Sequence, residues 1–417
     1  MSRLESAQKL VKEDPAKAES VYKDILSKNS GLNDAAMKEY EGALMGLGEL
    51  YRDQRRVDEL AELVKASRLE MSSFAKAKTA KIVRALLDFF TTIPDTLEIQ
   101  ISVTKSCIEW AIEEKRNFLK QNLETRLIGL LFQKHSYQDA LALVNGLLRE
   151  LKRLDDKMML VEVQLLESRI YHAIRNIPKA RAALTSARTS AHAVYCPPLM
   201  QAGLDMQSGI LHTEDKDYNT AYSYFIEALE GYSSQEETSK ATSALKYMLL
   251  TKIMLNLTDD VDQILTGKAA LKYMGRDVEA MKAISEAHKS RSLAKFEQAL
   301  LTYKVELSAD PFIRAHFTAL YNTLLEQNLV RVIEPFSRVE IEHVAKLVGL
   351  DTAHVENKLS QMILDKMFSG VLDQGTGCLI IFDEPVKDRG YEAALDTINK
   401  LSNVVDVLYT NQASSLD

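Results

Sequence analysis

The residues best placed to carry chemistry cluster in one stretch, VLDQGTGCLIIFDEP at 371–385, where the glycine pair Gly375 and Gly377 precedes two adjacent acids, Asp383 and Glu384. Paired glycines suggest a loop whose backbone amides wrap a phosphate. Such a loop needs a Lys-Ser/Thr pair after its glycines and a helix opening directly on them. Here Gly377 leads instead into CLIIF, which reads as a buried strand, and then Pro385. Asp383 and Glu384 do not form an acid–base pair either, because neighbours on a strand point to opposite faces and cannot share a proton or a metal. Elsewhere the eight histidines form no HExxH pair, the IEH at 341–343 lacks a second His one turn on, and no GxSxG elbow occurs. His135 and Asp139 stand four apart in HSYQD, but that segment falls at a repeat turn and reads as a loop. Cys107, Cys196 and Cys378 show neither CxxC nor Cys/His ligand spacing and read as buried thiols of a reducing compartment. The residues therefore predict no catalysis, no metal and no cofactor.

The elements around that stretch are helical. Glycine (16) and proline (8) are scarce in 417 residues, and segments of one character recur: PAKAESVYKDIL from 15, VDELAELVKASR from 57, YQDALALVNGLL from 137, IPKARAALTSAR from 177, YNTAYSYFIEAL from 218, VDQILTGKAALKY from 261 and LAKFEQALLTYK from 293. Their fourth residues are Ala18, Leu60, Ala140, Ala180, Ala221, Ile264 and Phe296, with steps of 42, 80, 40, 41, 43 and 32. The step of 80 leaves room for a weaker unit near residue 100. Ala221, Phe225 and Ala228 have the A-x3-F-x2-A spacing of the second helix of a tetratricopeptide-like hairpin, and Leu47, Gly48 and Tyr51 match the L-G-x2-Y of a first helix. Small residues there let two helices approach closely, and a hairpin that cannot bury its apolar face alone is stabilised by stacking. The expected fold is mainly α, with a tetratricopeptide-like α-solenoid of helical hairpins over roughly residues 1–330.

The texture changes at 331. RVIEPF reads as a short strand stopped by Pro335. In SRVEIEHVAKLVG, Ser337 and Glu340 form a capping box, Ile341, Val344, Ala345 and Val348 share a face, and Gly349 terminates the helix. A second helix opens at Asp351 and repeats apolar residues at Val355, Leu359, Met362 and Ile363. GVLD and CLIIF then form two strands, with QGTG supplying the positive φ values of the turn. Strand, helix, helix and hairpin make a winged helix.

A winged helix commonly binds DNA, and charge argues against that here. The chain carries a formal −7 with a pI near 5.8. The second helix, 351–368, is net −1, and 369–385 carries three acids and no Lys or Arg. A surface that must neutralise several phosphates cannot be acidic. The expected use is lateral pairing through the apolar strand Cys378, Leu379, Ile380, Ile381 and Phe382, read as a sheet edge. The alternative is that this chain's own C-terminal segment covers it. After VKDRG, the tail YEAALDTINKLSNVVDVLYTNQ places Ala394, Ile398, Leu401, Val405 and Leu408 in one stripe, widened by Tyr391, Leu395 and Tyr409. It reads as a helix of about five turns, given either to a multi-chain bundle or to packing on the winged helix. The N-terminus lacks an apolar signal region, and no apolar run reaches the eighteen or so residues that span a bilayer. The expected location is cytoplasmic and nuclear.

The runs EPFSRVEIEHVAKLVGL, KLSQMILDKMFSGVLDQGTGCLIIFDEP and YEAALDTINKLSNVVDVLY resemble the PCI-domain family found in the proteasome lid, the signalosome and an initiation-factor complex. The resemblance implies a scaffold subunit whose winged helix lines up edge to edge with other PCI lid subunits, whose terminal helix joins a common bundle, and whose N-terminal repeats reach outward. The resemblance to a proteasome lid subunit implies contacts with base ATPases and a core-particle α-ring subunit, with a signalosome scaffold as the alternative. The implied domains are repeats at 1–220, the helical part of the PCI domain at 221–330, its winged helix at 331–386 and the bundle helix, Tyr391 to Leu408, within 387–417. One charge feature fits: between 65 and 84 lie Lys65, Arg68, Lys76, Lys78, Lys81 and Arg84 against one acid, Glu70. Lys76, Lys78, Lys81 and Arg84 form a candidate docking patch for an acidic partner, with a solvated helix face as the plainer reading.

Overall fold

The computed structural model describes residues 15–28, 34–70, 76–94, 96–308, 310–382 and 389–413, and the chain divides into two compact units, 1–251 and 252–417. The first unit is built of antiparallel helices: α1 (Pro15–Lys28), α2 (Asp34–Asp53), α3 (Val57–Glu70), α4 (Lys76–Thr91), α5 (Leu97–Glu113), α6 (Asn117–Gln133), α7 (Tyr137–Leu154), α8 (Lys157–Ala173), α9 (Ile177–His192), α10 (Pro198–Glu214), α11 (Tyr218–Ser234) and the start of α12 (Thr238–Met254). From α5 to α11 each helix packs on its neighbour in sequence, and α6 also touches α8 and α8 touches α10. That next-but-one contact is the stacking of hairpins in a solenoid.

The repeat register is visible in burial. Ala18, Leu60, Ala140, Ala180 and Ala221 are all fully buried and Phe296 nearly so. The weaker unit near residue 100 is α5, whose fourth residue, Gln100, is buried but polar; its Nε2 donates to the Phe90 carbonyl at 2.8 Å and to Thr96 Oγ1 at 2.7 Å. Ile264 departs from the pattern, being half-buried while Val261 and Leu265 turn inward.

The turns follow a rule that glycine content does not announce. Lys115, His135, Arg175, Lys216 and Glu236 all adopt positive φ, between 54° and 66°. In each case the next amide donates back to a carbonyl five residues earlier, as in Arg116 N to Ala111 O at 2.9 Å and Ser136 N to Leu131 O at 3.0 Å. This is the Schellman closure, normally given to glycine because a Cβ is strained there. His135 therefore sits in a turn, its Nδ1 2.8 Å from Tyr137 Oη, and forms no pair with the exposed Asp139. Asp156, Asn176 and Asp217 then cap the following helices through their side-chain oxygens.

The second unit continues with α13 (Thr258–Thr266), α14 (Lys268–Lys272), α15 (Arg276–Lys289), α16 (Leu293–Thr302), α17 (Lys304–Ser308) and the long α18 (Pro311–Ile333), capped by Asp310. Then follow β1 (Arg338–Glu340), α19 (Ile341–Val348), α20 (Thr352–Leu364), β2 (Gly370–Asp373), β3 (Cys378–Ile381) and α21 (Arg389–Ala413). Val339, Val344, Ala345, Val355, Leu359, Met362 and Leu379 form the winged-helix core. Lys358 Nζ, 2.7 Å from Glu326 Oε1, ties α20 to α18.

Three expectations for this region change. The strand read in RVIEPF does not form: α18 runs through Ile333, and β1 lies further on at Arg338–Glu340. Ser337 and Glu340 make no capping box, because the residues between them are β1; the Ser337 carbonyl accepts from Ile381 N at 2.9 Å. In the wing turn only Gly377 has positive φ. Asp373 organises the rest, its Oδ1 accepting from Gly375 N at 3.0 Å and its Oδ2 from Thr376 Oγ1 at 2.6 Å. Gly349 does end α19 in the left-handed region at φ 77°.

Candidate assembly surfaces

The sheet is antiparallel with strand order β1-β3-β2. Leu379 pairs with Val339 on one side and Leu372 on the other, and Ile380 pairs with Arg338 and Val371. This corrects the edge expected from the sequence: Cys378, Leu379, Ile380 and Ile381 form the central strand, saturated on both sides, and Phe382 just beyond it donates its amide to the Ser369 carbonyl at 2.9 Å. The physical reason is burial, since an apolar strand buried at Cys378 and Leu379 belongs between two others. The outer rows of peptide groups belong to β1 and β2. On β2, Val371 is half exposed, and Met367 and Phe382 are exposed to a similar degree.

Beyond the wing, α21 has 25 residues, about 37 Å at the rise of an α-helix. Every side chain described between Gly390 and Tyr409 is exposed, including Tyr391, Leu395, Ile398, Leu401, Val405 and Leu408. The helix is longer than the five turns read from the tail, and its apolar stripe is not packed on the winged helix. Ala394, Ile398, Leu401, Val405 and Leu408 follow four-three spacing, with β-branched residues alternating with leucine at the last four, the apolar pattern of a coiled-coil seam.

Of the basic segment, Lys81 and Arg84 are exposed on one face of α4 while Thr79, Ile82 and Val83 beside them are buried. The side chains of Lys76, Lys78 and Arg68 lie outside the described residues. Cys107 and Cys378 are buried as expected and Cys196 is half-buried. Among the described residues no group of three or more His, Cys, Asp or Glu is placed to hold a metal, and no helix is long and apolar enough to cross a membrane. The sequence reading missed the cationic cavity at the α5–α6 turn; its only signal was the KRN at 115–117.

Stacked hairpins, a winged helix and a terminal apolar helix define a helical-repeat protein of the PCI class. Three family models match: the 26S proteasome regulatory subunit RPN6 N-terminal domain over 1–134, the PCI domain over 294–383 and the 26S proteasome subunit RPN6 C-terminal helix domain over 387–413. The chain is 58% identical over 416 residues to a probable 26S proteasome regulatory subunit rpn6 of Schizosaccharomyces pombe, covering 100% of this chain and 99% of that one. It is 51% identical to a 26S proteasome non-ATPase regulatory subunit 11 homolog of Arabidopsis thaliana (91% and 90% covered) and 49% identical to the 26S proteasome regulatory subunit RPN6 of Saccharomyces cerevisiae (98% and 97% covered). The chain belongs to the Rpn6 family of 26S proteasome regulatory subunits. The signalosome alternative is not favoured, since the models at both ends are specific to the proteasome subunit.

Proposed function

We propose that this chain is a non-catalytic scaffold of the proteasome regulatory-particle lid, in the cytoplasm and nucleus. The observation that carries this reading is the exposed four-three seam of α21, in the segment matched to the RPN6 C-terminal helix. A stripe of large apolar side chains left in water is unfavourable unless another surface covers it, and interlocking helices of other PCI lid subunits supply that surface. The outer edge of β2 adds lateral register by strand pairing. The N-terminal repeats supply reach toward a base ATPase and a core-particle α-ring subunit, with Lys76, Lys78, Lys81 and Arg84 as the acidic partner's docking patch. Linking several weak contacts on one chain raises the strength of the whole attachment.

The test is a chain truncated after residue 388, expressed in place of the full protein. We expect a folded product that no longer co-purifies with lid subunits. Normal incorporation of the truncated chain would overturn the reading.

A further inference from the structure

We propose that the turn between α5 and α6 is a binding site for a phosphate monoester. A cavity of about 700 Å³ opens there, lined from α4 by Ala80 and Arg84 and from the turn and α6 by Lys115, Arg116, Phe118 and Asn122. Among the described residues that line it, three are cationic and none is a carboxylate.

Arg116 carries the inference. It is only 6% exposed, yet its Nε and Nη1 have no hydrogen-bond partner and the nearest acid, Glu114, stands 3.8 Å from Nη2. A buried guanidinium that has one carboxylate beside Nη2 and no acceptor at Nε or Nη1 is costly. Its packing against the Trp110 ring, 4.8 Å from the centroid, offsets part of that cost. An entering oxyanion would offset more, because charge-assisted bonds from arginine are the strong ones.

The backbone adds to this. Arg116 is the N-cap residue of the 17-residue α6, makes no side-chain cap, and no acid occupies the first turn. The uncapped amides and the positive end of the helix dipole favour an anion at the same place. A dianion suits two arginines, a lysine and a helix N-terminus better than a single carboxylate does. Phe118, 74% exposed beside the cavity, offers an apolar surface for whatever bears the phosphate. The phosphate has two chemical sources, a free phosphomonoester or a phosphorylated protein side chain.

Trp110 is the only tryptophan of the chain, so its emission reports on Arg116 directly. The full-length protein is titrated with inorganic phosphate, O-phosphoserine and a phosphoserine peptide, against potassium chloride at matched ionic strength and the unphosphorylated peptide. We expect a saturable change in Trp110 emission with the phosphorylated probes only. The exposed variants Arg84→Gln and Lys115→Gln should each weaken it about tenfold, the loss of one charge-assisted contact. A peptide at least about tenfold tighter than free phosphoserine identifies a protein-borne phosphate, and equal affinities identify a free one. A response no larger than that of chloride, or variants that bind like the parent, would overturn the site.

Discussion

The ring of Phe225 occupies the space that a side chain on Gly209 would need: a Cβ built on residue 209 lies 2.5 Å from Phe225 Cε1. This contact joins α10 to α11 inside one hairpin, and the same device recurs where Gly231 meets Ala202 and Gly48 meets Phe89. Close approach of two backbones is what lets a phenylalanine be fully buried between them. Gly209→Ala should therefore force the helices apart and cost about 1–3 kcal/mol, as overpacking of a tight core does. Gly146→Ala, mid-helix with nothing within 4 Å of its Cβ, is the control and should stabilise by about 0.5–1 kcal/mol. Urea unfolding of the two variants checks both signs.

The first unit was largely legible because its periodicity is written in small and apolar residues. Ala140, Ala180 and Ala221 are where the spacing places them, at the buried fourth position of each helix. The turns were not legible, because lysine, arginine and histidine hold the left-handed position that a sequence reader looks for in glycine. In RVIEPF, Val332 and Ile333 belong to the last turn of α18, and a six-residue window does not separate the end of a buried helix from a strand. The wing reads as a hairpin, but alternation says which residues turn inward and nothing of strand order. That is why Cys378 to Phe382 reads as an edge although β1 closes its far side. Arg116 escaped notice because nothing in a lone arginine predicts that it will be buried.

Glu19 on α1 accepts from Lys23 Nζ at 2.6 Å, Arg56 Nη1 at 2.8 Å and Tyr51 Oη at 3.1 Å, binding α1 to the α2–α3 turn. The Lys23 bond holds its carboxyl at about 2, with Arg56 and Tyr51 helping and partial burial opposing. A carboxyl depressed in the folded state stabilises above its usual value of 4.5 and loses that contribution as pH falls toward 2. Glu19→Gln should therefore unfold earlier than the parent above about pH 5, and the gap should narrow steadily in acid. Thermal midpoints across that range supply the measurement; a gap that widens in acid would contradict the assignment.

Val371 stands on β2, half exposed, and its partner Ile380 lies on the central strand. If β2 is the edge that meets another subunit, Val371→Lys should block it, since an edge lysine discourages strand addition. The isolated chain should change in stability by no more than about 0.5 kcal/mol, as exposed substitutions do. Recovery of lid subunits with the variant should fall. Undiminished recovery would move the pairing edge to β1.

Leu401 and Leu408 lie one heptad apart on α21 and are 66% and 57% exposed. Side chains already in water lose nothing within the chain when made polar, so Leu401→Asp with Leu408→Asp should leave the thermal midpoint of the isolated protein where it was. In the assembly the same pair loses the burial of two leucines, each contributing about 1.5–3 kcal/mol, and incorporation should weaken by about a hundredfold or more. Asn399→Asp, off the seam, should do neither. Competition of the double variant against parent chain for incorporation measures the difference directly. Equal incorporation would mean that this seam is not the surface that holds the subunit in place, whereas a lowered midpoint would mean that α21 packs at home.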